Sequence, residues 1–259
     1  MGTLEENDEI IETALYFFKR KTTELIEYDP ENYERKIEIA NLTENQGCLS
    51  AICRIPGNKI FHSGGLHDDH LNPTFIINLD TNTYENLPKL KPNHTACATY
   101  YKGKVYIFGG HTRFQSAIAC NTFDLESKSW IPLADMPIAT SSTSVLVIND
   151  KFLISGYENF LQEYNVFTNS FESISEDLYI NPINLLIKDD NRICLMSNSI
   201  YVADINDIKN WKHVGETTLF YSSTSKPVVR GRFAYFSDCN CNIYLFGLDS
   251  YKIECIARF

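Results

Sequence analysis

The sequence predicts an all-β fold, a β-propeller built from four-stranded antiparallel blades. Two phrases carry this prediction: "KIFHSGGL" at 59–66 and "KVYIFGGH" at 104–111 each place a basic residue and an apolar run before a glycine pair. The second glycines of these pairs are 45 residues apart. Aromatic residues make up 13% of the chain, which favours strands. A repeat of this length with four short strands is typical of propeller blades.

The first half of each repeat unit reads as a strand, a tight turn and a second strand. Weaker copies of the phrase are "KFLISGYE" at 151–158, "RICLMSN" at 192–198 and "RFAYFSD" at 232–238. A polar turn precedes every copy, and its Gly, Asn and Asp residues supply the positive φ values that short hairpins need. An apolar segment with the character of a strand precedes each turn, so the pattern occurs five times between 47 and 259.

The second half of each unit predicts two more strands around an Asp- or Asn-rich turn. Phe123 stands seven residues before Trp130, and Tyr164 stands seven residues before Phe171. The aromatic residue that opens the last strand is expected to cover the neighbouring blade with a large apolar area. The glycine pair, which has no Cβ atoms, is expected to let the backbone bend so that neighbouring blades approach.

The repeats predict six blades, the first of them incomplete at its inner edge. Residues 13–39 read as the last three strands of a further blade, and "EYDPENYE" within them matches the later turns. An inner strand for this blade is not obvious, so a non-sequential closure and an imperfect seam both stay open. The domain prediction is an acidic tail at 1–12 followed by a propeller at 13–259.

The residues at 94–137, "HTACATYYKGKVYIFGGH…NTFDLESKSWIPLADMP", resemble the Kelch-repeat family. Neither tryptophan is followed by Asp, as a WD repeat would require. The blades on either side match partly, and the last two match mainly in strand spacing. The resemblance implies adaptor or scaffold work, such as substrate recognition for ubiquitin ligases or attachment to the cytoskeleton. Such relatives usually carry a BTB or F-box segment. Residues 1–12 are too few to form one, so ligase recruitment is expected only if another subunit or a longer chain supplies that segment.

Composition argues against several classes of partner. The net charge is −10 and the basic residues are scattered, so nucleic acid and anionic membranes are not expected to bind. The N-terminus has no secretory signal, and no apolar run is long enough to span a membrane. None of the eight cysteines forms a C-x-x-C motif, which favours reduced core residues and a cytoplasmic location.

The segment "FHSGGLHDDH" at 61–70 allows two interpretations. As chemistry, His62, His67 and His70 could hold a metal ion beside Asp68 and Asp69. As architecture, its glycine pair belongs to the repeat, His62 falls inside a strand, and "LHDDH" is a polar loop. The spacing H-x4-H-x2-H is not a recognised metal motif, so the second interpretation is preferred and no metal or cofactor is predicted.

A binding surface is predicted from the loops. In a four-stranded blade, the loop after the second strand and the link to the next blade emerge on the same face. Loops on a rigid scaffold are common binding sites, and Tyr, Phe and Arg are frequent hot-spot residues. The residues predicted to contact a protein partner are His67, Asp68, Asp69, His70, His111, Arg113, Phe114, Tyr157, Asn159, Phe160 and Tyr179.

Two alternatives accompany the prediction of a non-catalytic interaction module. The first is an enzyme on a Kelch-type propeller, of the copper-oxidase or sugar-epimerase class; the copper enzymes need a Cys–Tyr cross-link with further Tyr and His ligands. The sequence has no H-E-x-x-H, G-x-S-x-G, P-loop or dinucleotide-binding motif. The second is a decayed structural paralogue that has lost its ligand, as the weaker last two repeats suggest.

Overall fold

The computed structural model shows a six-bladed β-propeller, which confirms the predicted fold class. It describes residues 10–19, 22–42, 46, 49–65, 73–90, 95–111, 116–157, 160–175, 178, 184–217 and 226–259. These residues form 23 strands in six antiparallel sheets and contain no helix. Five sheets have four strands and the first has three.

The blades follow the chain in order, and each is a meander of neighbouring strands. Blade 1 contains β1 (Leu15–Phe18), β2 (Glu24–Asp29) and β3 (Tyr33–Glu38). Blade 2 contains β4 (Ala51–Ile55), β5 (Lys59–Ser63), β6 (Thr74–Asn78) and β7 (Thr83–Asn86). Blade 3 contains β8 (Cys97–Tyr101), β9 (Lys104–Phe108), β10 (Asn121–Asp124) and β11 (Ser129–Pro132).

The remaining three blades have the same strand order. Blade 4 contains β12 (Ser144–Ile148), β13 (Lys151–Gly156), β14 (Phe160–Asn165) and β15 (Ser170–Ser175). Blade 5 contains β16 (Leu185–Asp189), β17 (Arg192–Met196), β18 (Ser199–Asp204) and β19 (Asp207–Glu216). Blade 6 contains β20 (Val228–Arg230), β21 (Phe233–Ser237), β22 (Asn242–Gly247) and β23 (Ile253–Arg258).

The first strands of blades 2 to 6 face the axis of the ring, because β4, β8, β12, β16 and β20 contact one another in that order. The core lies between the blades, where the faces of neighbouring sheets meet. Between blades 2 and 3, the Phe123 ring lies 5.9 Å from Phe61 and 5.0 Å from Trp130. Between blades 3 and 4, Phe108 lies 5.5 Å from both Phe152 and Tyr164. Aromatic side chains therefore fill these two interfaces, as the repeat predicts, whereas Leu and Ile side chains fill the interface between blades 4 and 5.

The ring closes between blade 1 and blade 6. Leu15 and Phe17 of β1 pack in one buried cluster with Val228 and Ile243 of blade 6. The Phe17 ring lies 5.9 Å from that of Phe259, next to the end of β23. Strand β1 also contacts β4 of blade 2 and β21 of blade 6. Blade 1 thus fills its place in the ring although its described residues supply no inner strand.

Candidate functional site

The connections between second and third strands lie on the same face of the ring as the links between blades, as predicted. In blade 3, Ala117 in the connection forms a β-bridge with Thr140 in the link to blade 4. The amide of Gly110 donates to the carbonyl of Thr140 at 2.9 Å, and the amide of Met136 donates to the carbonyl of Ile118 at 2.9 Å. We call this side of the ring the loop face.

The loop face is uneven, because the connections from second to third strand differ in length. They span 64–73 in blade 2 and 109–120 in blade 3, but only 197–198 in blade 5 and 238–241 in blade 6. The two long connections are the ones that begin with a glycine pair. All four of these glycines have a positive φ, which L-residues with a side chain rarely adopt.

Gly109 also makes room for the link between blades. A Cβ atom at this position would lie 2.8 Å from the carbonyl oxygen of Thr140 and 2.8 Å from Cγ2 of Thr143. The long connection of blade 3 can therefore turn back under the link only because position 109 has no side chain.

Main-chain hydrogen bonds join three segments of the loop face into one unit, which we call the loop platform: residues 116–118, 136–141 and Tyr157. Besides the bonds of Ala117 and Met136 given above, the amide of Tyr157 donates to the carbonyl of Ser141 at 3.0 Å. The Thr140 hydroxyl donates to the carbonyl of Tyr157 at 2.9 Å. Hydrogen bonds to main-chain groups fix the backbone of the loop platform, so its surface side chains have defined positions.

Three large apolar side chains of the loop platform face solvent. Ile118 is 43% exposed, Ile138 is 44% exposed and Tyr157 is 39% exposed. The sequence predicts Tyr157 as a contact residue but neither isoleucine, because the prediction rests on charged and aromatic loop residues. The signal available in the sequence was an isoleucine in each of two segments that otherwise read as surface loop.

The structure locates some of the predicted contact residues. His111 and Tyr157 both lie on the loop face, His111 in a β-bridge with Ser116. Phe160 begins β14. The other predicted contact residues lie outside the described residues: His67, Asp68, Asp69, His70, Arg113, Phe114, Asn159 and Tyr179.

His62 is a core residue of β5, as the architectural interpretation of the opening segment predicts. It is fully buried and stacks on Phe75, with ring centroids 4.4 Å apart and an angle of 11° between the planes. The edge of Phe18 approaches it at 5.2 Å. Within the described residues, no group of three or more His, Cys, Asp or Glu is placed to hold a metal ion. The same residues include no helix long and apolar enough to cross a membrane.

Comparison with known proteins finds Kelch-repeat relatives over part of the chain. Beta-scruin of Limulus polyphemus is 29% identical over 135 residues, which cover 45% of this chain and 14% of that protein. Kelch-like protein 23 of Homo sapiens is 28% identical over 104 residues, which cover 39% of this chain and 19% of that protein. The matched region thus spans less than a fifth of the length of these curated relatives. No protein-family model matches the chain.

A solved structure shares the fold over most of both chains. It is titled "Structure of YjhT" and superposes with a TM-score of 0.66 over 83% of this chain and 84% of that one, at 10% identity. At this identity the likeness establishes the fold alone. Together with the Kelch-repeat relatives and the six blades, it confirms the resemblance that the glycine pairs and aromatic turns indicate.

Proposed function

We propose that this Kelch-type β-propeller is a non-catalytic interaction module that binds a protein partner through its loop face. The observation that carries the proposal is the loop platform with its three exposed apolar side chains. Exposed apolar groups gathered at one site are typical of surfaces that bind other proteins. The Kelch resemblance implies adaptor or scaffold work of this kind.

The platform favours binding because its backbone is already ordered. Each of its segments is hydrogen-bonded to another, so a partner would order side chains rather than a loop. Blades 2 and 3, which carry the long connections, are neighbours in the ring, so both long connections begin on the same side of the loop face. The proposed surface includes the loop residues predicted from the sequence, among them Arg113 and Phe114.

Charge narrows the class of partner. With a net charge of −10, the protein favours partners whose contact surface is neutral or basic and repels nucleic acid and anionic membranes. The seven cysteines in the described part of the chain are free thiols, which supports a reducing compartment such as the cytoplasm.

The proposal is tested with paired charge substitutions on opposite faces. Ile118→Asp and Ile138→Asp place a carboxylate in the loop platform, whereas Phe167→Asp places one on the opposite face, where Phe167 is 74% exposed in the turn between β14 and β15. Partners are captured from cells expressing each tagged variant and quantified by mass spectrometry. We expect each isoleucine variant to capture at most about one tenth of the partner that the unmodified protein captures. This corresponds to a loss of roughly 1.4 kcal/mol of binding free energy.

Phe167→Asp is expected to bind like the unmodified protein. Circular dichroism and thermal melting check that the exposed substitutions leave the fold intact. Retention of all partners by both isoleucine variants, together with their loss in Phe167→Asp, would place the interaction on the opposite face. Arg113→Ala and Phe114→Ala extend the test to the residues predicted from sequence alone.

A further inference from the structure

A lysine side chain crosses the axial channel of the ring. Lys226 precedes β20 in blade 6, and its Nζ atom donates to Oγ1 of Thr99 in blade 3 at 2.5 Å. Blades 3 and 6 are opposite each other in a six-bladed ring, so the ammonium group stands in the channel itself. Thr99 is fully buried.

The surroundings of this ammonium group are polar but uncharged on one side. A small cavity along the channel is lined by Lys226 and by neutral side chains at the start of the inner strands, including Ser50, Thr95, Ser144 and Asn184. The hydrogen bond to Thr99 uses one of the three N–H donors of Lys226. No carboxylate of the described residues lies within ion-pair distance of Nζ.

The field of Lys226 also reaches two thiols of the inner strands. Burial raises the pKa of Cys53 to about 12 and the pKa of Cys97 to about 11, and the nearby ammonium group opposes both shifts. These thiols lie on β4 and β8, neighbours in the ring. The cation therefore acts on an enclosed region rather than on open solvent.

A larger cavity adjoins the same lysine. Its volume is about 620 Å³, which is within the range of sites for small molecules. Val145, Leu146, Pro227 and Val229 give it apolar walls, and Lys226 lines one part of it. It lies between residues 10–12, which lead into β1, and residues of blades 4, 5 and 6.

The charged side chains that line this cavity differ between its mouth and its interior. Glu12, Asp189 and Asp190 line it together with Lys188, and Asp189 forms an ion pair with Arg192. Asp190 is exposed in the turn after β16 and marks the mouth of the cavity, whereas Glu12 is half-buried and its carboxylate acts on the Cys53 thiol, as Lys226 does. An anionic group would be repelled at this mouth and attracted by Lys226 further in.

We propose that the cavity binds a small organic carboxylate. Its carboxylate group pairs with Lys226, and its apolar body lies against Val145, Leu146 and Val229. Among the described residues Lys226 forms a hydrogen bond to the Thr99 hydroxyl and no ion pair, so the pairing would give its ammonium group an anionic partner, and charge-assisted hydrogen bonds of this kind are the strong ones. This site lies in the channel and is independent of partner binding at the loop face.

The test uses 4-fluorobenzoate as the probe and 4-fluorobenzamide as its neutral isostere, followed by fluorine NMR with the full chain. We expect saturable binding of the benzoate and at least about tenfold weaker binding of the benzamide. Lys226→Met should weaken benzoate binding by about tenfold or more. Lys188→Met, which removes the other lysine of the same cavity, should change it little.

Equal binding of the two probes, unchanged benzoate binding in Lys226→Met, or no saturable binding by the unmodified protein would overturn the proposal. A second measurement tests the proposal even if Lys226→Met does not fold. Lysines of the protein without substitutions are reductively methylated with ¹³C-formaldehyde and a borane reductant, and Lys226→Arg identifies the resonance of Lys226 by its disappearance. That resonance must shift on addition of 4-fluorobenzoate; a resonance that stays in place while the probe binds also overturns the proposal.

Discussion

Blades 2 and 3 carry glycine pairs after their second strands, whereas blades 5 and 6 carry none, and the difference follows the length of the connection. In blade 5 two residues, Ser197 and Asn198, join β17 to β18, and the Ser197 amide donates to the carbonyl of Ser199 at 2.9 Å. A hairpin this short does not turn back under the link between blades. The missing glycines therefore reflect a shorter connection, and blade 5 keeps four paired strands.

Blade 6 replaces the glycine pair with a polar side chain. Asp238 is 3% exposed and accepts hydrogen bonds from the amides of Asn240 and Asn242, both at 2.9 Å. Its second oxygen accepts from Nδ2 of Asn242 at 2.8 Å and from the Tyr244 hydroxyl at 3.1 Å. One carboxylate thus organises a four-residue connection. The weak repeat motif of these blades is a different local solution and does not by itself indicate decay.

Blade 4 is intermediate between the blades that carry a glycine pair and the blades that carry none. It retains one glycine, Gly156, and its connection spans 157–159. A Cβ atom at Gly156 would lie 2.1 Å from Oγ1 of Thr140, in the same link that Gly109 accommodates from blade 3. Close approach of the backbone to Thr140 therefore requires glycine from both neighbouring blades.

The largest expected effect is alkaline unfolding, which tests whether blades 2 and 3 are packed as stably as blades 5 and 6. Burial raises the pKa of Cys53 and Cys120 to about 12 in blades 2 and 3, and that of Cys194 to about 12 in blade 5. Thiols of the unfolded chain ionise near pH 9, so this stability is fully present below about pH 9. It is lost as pH rises towards 12, at about 4 kcal/mol per pH unit for three thiols.

We expect one cooperative transition in melting experiments between pH 8 and 11, with a midpoint that falls above about pH 9. Cys120→Ala and Cys194→Ala should each reduce the pH dependence by about a quarter, because the raised pKa of Cys97 contributes in this range as well. Pulsed thiol labelling with mass spectrometry gives the site-by-site readout. Labelling of Cys194 well before Cys53 and Cys120 would show that blades 5 and 6 are the less stable region.

The second effect concerns the glycine pair itself. Gly109→Ala combines a left-handed backbone, at φ 60°, with a clash against the link between blades, so we expect a loss of about 3–5 kcal/mol of unfolding free energy. Gly103→Ala is the matched control. Its φ is 78° and no atom lies within 4 Å of the added Cβ, so only the backbone cost of about 1–2 kcal/mol remains. Urea unfolding measures both.

Equal losses for these two glycine variants would mean that the close approach to Thr140 contributes nothing and that the pair serves the turn alone. Addition of a glycine to the short hairpin of blade 5, as Ser197→Gly, should not stabilise the protein, because no positive φ is needed there.

The smallest effect concerns the polar replacement in blade 6. Asp238→Ala removes four hydrogen bonds to a buried carboxylate, and we expect a loss of about 3 kcal/mol. Asp124→Ala in blade 3 is the control, because Asp124 also caps a turn, accepting from the amides of Glu126 and Ser127, but is more exposed. Its loss should be about 1 kcal/mol. Similar melting points for the two variants would contradict the role given to Asp238.

Much of the fold could be predicted from the sequence because its signals are local. Strand alternation, turn residues and the seven-residue spacing of Phe123 and Trp130 depend on neighbours in the chain. They correctly gave the blade count and the strand position of His62. Loop contacts were harder to predict: Ile118 and Ile138 belong to separate segments, and only their main-chain bonds show that they share one platform.

The sequence by itself determined the repeat and the propeller, since a period of strands and turns requires no knowledge of distant contacts. The tertiary structure decided which residues meet across the ring. The contact of Phe17 with Phe259 and the reach of Lys226 to Thr99 depend on the number of blades and on how the last one meets the first. Such pairs, separated by more than 100 residues, leave no periodic signal in the chain.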